Sequence, residues 1–126
     1  MTRLETEKLK EGIRLFREGH YFDAHDVWEE VWQNLSGNRK LFWQSLIQLS
    51  VACYHIENGN RKGAEGMLEK ASQKIFSLQS QKSDKIFIQF HHLFQVLKNE
   101  LESNIISSQT ADLLNAIVTD DLLDSV

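Results

Sequence analysis

The run Arg39-Lys40-Leu41-Phe42-Trp43-Gln44-Ser45-Leu46-Ile47-Gln48-Leu49-Ser50-Val51-Ala52-Cys53-Tyr54-His55-Ile56-Glu57-Asn58 decides the fold. Wound at about 100° per residue, its apolar side chains cover most of the circumference of a helix, so this element belongs at the centre of a helical core. Both of its ends carry stop-and-start signals. Leu35-Ser36-Gly37-Asn38 precedes it, with Asn38 as the candidate N-cap, and Gly59-Asn60 follows it.

Outward from that helix, apolar spacings of three and four recur in nearly every segment and no alternating strand pattern persists. Towards the N-terminus the pattern predicts one helix from about Tyr21 to Asn34 and another from about Thr2 to Glu18. The latter is opened by a Thr2/Glu5 capping box and closed by Gly19. Towards the C-terminus it predicts helices from about Arg61 to Leu78 and Asp84 to Glu102, then a short one around Leu113, Leu114 and Ile117. The stretch Ser80 to Asp84 is the weakest connection, and Asp120 to Asp124 is expected to fray.

Gly19 stands five residues before Ala24, and Gly59 stands five before Ala64, forty positions later. Each glycine falls in a turn and each alanine in the first turns of the next helix, the arrangement of helix-pair repeats such as the tetratricopeptide class. Two units are too few for an open solenoid. The expectation is therefore an all-α compact bundle of about five to six helices built from antiparallel hairpins, with residues 1–126 as a single helical domain.

Composition narrows the function classes. The chain has 126 residues, no proline, 41% hydrophobic and 25% charged residues, and a formal net charge of -4. That length excludes a separate cofactor domain, and the acidic balance lacks the positive excess that binds phosphate backbones, so no nucleic-acid partner is expected. No apolar run is long enough to cross a membrane, and the charged N-terminal residues do not read as an export signal. No membrane partner is expected, and the cytoplasm is the expected compartment. The lone Cys53 excludes an internal disulfide and reads as an inert core thiol. His91-His92 reads as a surface pair, and no phosphate-cradling glycine loop, nucleophile elbow or Cys-x-x-Cys pair is present.

Polar residues at apolar borders carry what chemistry there is. On the second helix Tyr21, Ala24, Trp28, Val31, Trp32 and Leu35 share the buried face, Asp23, Asp26, Glu30 and Gln33 lie opposite, and His25 and Glu29 lie one turn apart at the border. On the central helix Gln44, Gln48 and His55 project within about 40° of one another. If the two helices pair across Ser36-Gly37, His25 and Glu29 meet Gln48 and His55, with Trp32 and Tyr21 beside them. Three readings stay open. The set is a buried hydrogen-bond network fixing the two helices, a pocket for an unknown small ligand or a contact for a protein, or a divalent-metal site with His25, Glu29 and His55 as ligands, the basis of a small metal-dependent enzyme.

The run Gly19-His20-Tyr21-Phe22-Asp23-Ala24-His25-Asp26-Val27-Trp28-Glu29-Glu30-Val31-Trp32 resembles the hallmark of the domain of unknown function 309 family. That hallmark is a glycine turn and an aromatic pair followed by Ala-His-Glu-x-x-Glu-x-x-Trp. Leu46-Ile47-Gln48, Tyr54-His55 and Gly59-Asn60-Arg61-Lys62-Gly63-Ala64 are similar to its later pattern, and Asp26 departs from the usual glutamate. The resemblance covers about residues 9–80. It implies an all-helical cytoplasmic protein whose motif residues map onto His25, Glu29, Gln48 and His55, and it carries over no activity, cofactor or oligomeric state.

Overall fold

A computed structural model describes residues 1–78 and 84–124, all of them in helices and short connections. The order is α1 (Arg3–Arg17), α2 (Tyr21–Trp32), α3 (Gly37–Glu57), α4 (Arg61–Ser77), α5 (Asp84–Glu100), α6 (Ser108–Ile117) and a terminal 3-10 turn (Asp120–Asp124). Each helix packs on its chain neighbour, most extensively α3 on α4. The buried side chains form one cluster, with Trp28, Trp43, Phe16, Phe42 and Phe90 among the largest fully buried.

The forty-residue similarity is a repeated turn. Gly19 (φ 85°) and Gly59 (φ 72°) both take the left-handed conformation that favours glycine. In the first turn the Gly19 and His20 amides donate to the Phe16 and Leu15 carbonyls at 3.0 and 2.9 Å, and in the second Gly59 and Asn60 donate to Ile56 and His55 at 3.2 and 2.8 Å. The following Ala24 and Ala64 are fully buried, so the small residue does in both hairpins what its position predicts.

Two expectations change in detail. The third helix begins at Gly37 with Ser36 as N-cap, in place of Arg39 with Asn38. The acidic C-terminal end does not fray among the described residues: it forms the 3-10 turn, held by the burial of Leu122. The weak connection expected at residues 80–84 falls largely outside the described residues.

Two contacts fix the frame around the central helices. The Trp28 indole N–H donates to the Leu9 carbonyl at 3.0 Å, tying α2 to α1. Buried Ser45 donates to the Ala71 carbonyl at 3.0 Å, tying α3 to α4. Cys53 is a free, buried thiol whose pKa burial pushes well up, as expected of an inert core residue. No helix among the described residues is long and apolar enough to cross a membrane.

Candidate functional site

A cleft of about 310 Å³ lies between α2, α3 and α4. The second helix contributes His25, Glu29 and Trp32, the third Gln44, Ile47, Gln48 and Val51, and the fourth Met67. Three of the residues singled out by helical spacing, His25, Glu29 and Gln48, are thus brought together, with Trp32 beside them.

His25 sits between two carboxylates. Its Nε2 is 3.4 Å from Glu29 Oε1, one turn along α2, and its Nδ1 is 3.2 Å from Asp26 Oδ1. Nδ1 is nevertheless buried without a hydrogen-bond partner, because Asp26 approaches from a direction in which no ring hydrogen bond forms. Phe22 covers the imidazole with a ring-centre separation of 5.1 Å and itself stacks obliquely on Tyr54 at 5.0 Å. Asp26, assigned by the helical wheel to the solvated face, is exposed, yet its carboxylate bends back to the histidine.

Gln48 does not pair with the second helix. Its Oε1 accepts from Lys74 Nζ at 2.9 Å, so the polar stripe of α3 is answered by α4. Burial, assisted by the neighbouring Lys70 charge, holds the Lys74 pKa below the ordinary lysine range. Trp32 is half-buried: its indole N–H donates to the Lys40 carbonyl at 3.0 Å, and Lys40 Nζ stands 4.7 Å from the ring centre.

His55 and Tyr21 do not line the cleft. His55 lies two turns beyond Gln48, about 10 Å along the helix axis, and belongs to the α3–α4 turn. Its Nδ1 is 3.3 Å from Asn60 Nδ2, while Asn60 Oδ1 accepts from the Gly63 amide at 3.0 Å and caps α4. Gly63 has no room for a β-carbon, which would press on Asn60 and His55. The Tyr-His and Gly-Asn-x-x-Gly patterns therefore describe one packed turn. Tyr21 is buried on the other side of α2, edge-on to Phe16 at 5.0 Å, and burial raises its pKa, with the Cys53 and Glu57 charges adding to the rise.

The metal reading required His25, Glu29 and His55 around one ion. Among the described residues no three His, Cys, Asp or Glu side chains are gathered closely enough to hold a metal, since the shared stripe placed His55 at the right angle but the wrong height. Helical spacing had included Gln44 in the stripe, and its amide lines the cleft with no hydrogen-bond partner among the described residues. Ile47, Val51 and Met67 carried no signal beyond that of core residues. Only the packing of α4 on α3 reveals them as cleft wall.

Comparison with known proteins agrees with this core. The family described as "Domain of unknown function (DUF309)" matches residues 9–67, a span that holds every residue lining the cleft. A relative from Bacillus subtilis (strain 168), "Uncharacterized protein YpuF", is 28% identical over 83 residues, covering 65% of this chain and 47% of the relative. The chain thus matches about half the length of that relative. No solved structure matches the chain significantly.

Proposed function

We propose, for a chain whose residues 9–67 match the domain of unknown function 309 family, that it is a single-domain cytoplasmic binding module taking a small organic ligand between α2, α3 and α4. The observation that carries this reading is the company kept in one cleft. The Gln44 amide, without a hydrogen-bond partner among the described residues, and Glu29, without a lysine or arginine partner among them, face the same space as Trp32, Ile47, Val51 and Met67. A few polar groups converging on an apolar wall are what ligand pockets provide, and about 310 Å³ stands at the small end of their range. The cleft also lacks a hydroxyl or thiol nucleophile among its lining residues, which favours binding over covalent catalysis.

A fragment library screened by heteronuclear NMR against the whole chain tests the reading. Hits should perturb the Trp32 indole and the Gln44 and Gln48 side-chain amides together, and Gln44→Ala should weaken them. Hits scattered over the surface, or none, would remove the reading. Stoichiometric zinc, iron or manganese in protein purified without an affinity tag, lost on His55→Ala, would restore the metal-dependent enzyme instead.

A further inference from the structure

The cleft between α2, α3 and α4 carries one carboxylate, Glu29, and no lysine or arginine among its lining residues. Among the described residues the ionic contact of Glu29 is the His25 ring, with Nε2 at 3.4 Å. The adjacent Glu30 is answered by Lys8 at 3.1 Å, so the carboxylate left without a lysine or arginine on this turn of α2 is the one that lines the cleft. Two lysines lie close by, and both are engaged elsewhere. Lys74 donates to Gln48 at 2.9 Å, Lys40 stands 4.7 Å from the centre of the Trp32 ring, and neither lines the cleft.

The place of Glu29 on its helix is a second, independent observation. α2 ends at Trp32, and its last turn, which holds Glu29, contains no basic residue. Carbonyls without helical partners make that end of a helix negative, so it repels a carboxylate and attracts a cation. The amides of α3 agree with this sign. Gln44 has no hydrogen-bond partner among the described residues, and its carbonyl oxygen is an acceptor beside the carboxylate.

We propose that the ligand of this cleft is a small organic cation, a primary amine carrying an ammonium group on a compact apolar body. The proposal rests on the reading of the cleft as a ligand site. Glu29 accepts ammonium hydrogens, with the Gln44 carbonyl oxygen as a second acceptor, and the apolar body lies against Ile47, Val51 and Met67. Charge-assisted hydrogen bonds are about twice as strong as neutral ones, so the ammonium gains what a hydroxyl at the same place does not. A carboxylate ligand meets repulsion from Glu29 and from the helix end alike.

Titration of the full chain at neutral pH and low salt with 3-methylbutylamine and 2-phenylethylamine tests this, followed through the Trp32 indole and glutamine side-chain signals. Each amine is compared with the alcohol of the same carbon skeleton, and 3-methylbutanoate supplies the opposite charge. At least one amine should bind saturably, about tenfold or more tighter than its alcohol, and the carboxylate should not bind. Because Glu29 is about half exposed, added salt should weaken the amine and leave the alcohol unaffected. Glu29→Gln should lower amine affinity to that of the alcohol, with thermal unfolding unchanged or raised. Alcohols or the carboxylate binding as tightly as the amines would overturn the cation while leaving the ligand site standing. Failure of every probe up to about 10 mM would also overturn it, and the fragment screen then decides separately whether the cleft binds anything. The comparison among probes uses the unaltered protein, so it holds even if the variant folds poorly.

Discussion

At the scale of single residues, His25 is where packing and polarity disagree. The ring is largely enclosed, covered on one side by Phe22 and flanked by two carboxylates, yet its Nδ1 has no hydrogen bond. A buried polar atom left without a partner costs about 1 to 3 kcal/mol, so His25 weakens the fold at the position where the cleft opens. Replacement by leucine should therefore leave urea stability at pH 8 unchanged or raised by up to about 1 kcal/mol. A loss larger than that would mean that the histidine serves the fold through a hydrogen-bond network. Asn60 gives the contrast: it caps α4 and contacts His55, and Asn60→Ala should cost about 1 kcal/mol in the same titration. The difference between these two positions was only half legible in the sequence. A helical wheel measures angle and discards height, so it grouped His55 with Gln48 although two turns separate them, and it could not show that Lys74 of α4 would reach Gln48 first.

At the scale of elements, the approach of α1 to α2 depends on one missing side chain. Gly12 lies within α1 directly against the Trp28 indole, which fills the space a β-carbon would occupy and donates to the Leu9 carbonyl at 3.0 Å. Gly12→Ala should force the two helices apart and weaken that hydrogen bond, costing about 2 to 4 kcal/mol by denaturant titration. Gly66 is the control, because it is exposed in α4 with nothing near the site of a β-carbon. Gly66→Ala should stabilise by about 0.5 to 1 kcal/mol. The α5–α6 junction carries a pH dependence. Burial raises the pKa of Glu100, but hydrogen bonds from Thr110, Ser107 and Ser103 outweigh it and hold the carboxyl below the ordinary glutamate range. A lowered folded value means that the unfolded chain takes up the proton first, so this contribution is complete above the ordinary glutamate pKa and is lost as pH falls through the lower folded one. Glu100→Gln should thus be less stable than the parent near neutrality, and the gap in urea midpoints should close on acidification. A gap independent of pH would assign the loss to packing. The sequence announced α5 and α6 by periodicity, but this latch draws on residues from both sides of a connection that showed no pattern.

At the scale of the whole molecule, the chain closes on its own beginning. Helical periodicity found the helices and the glycine turns found the two hairpins, because both are local properties. The return of the C-terminus to α1 is not local and left no such trace. Arg17, in the last turn of α1, donates to the carbonyls of Asn115 and Val118 at the end of α6, and Asn115 Nδ2 donates back to the Arg17 carbonyl at 3.3 Å. Leu114, Ile117, Val118 and Leu122 are buried beneath this tie. A guanidinium at a helix C-terminus satisfies carbonyls that have no partner within the helix and opposes the negative end of its dipole. Yet residues 108–124 lie outside the family match at 9–67, so the C-terminal segment is separable in sequence from the part that forms the cleft. If it is also separable in energy, Arg17→Ala should speed hydrogen exchange of amides 108–124 by about tenfold, the loss of a charge-assisted hydrogen bond in local opening. Exchange in α3, and ligand binding in the cleft, should stay unchanged. Faster exchange in both regions to the same extent would show instead that the closure and the central helices open as one unit, and that the C-terminal segment holds the cleft in shape.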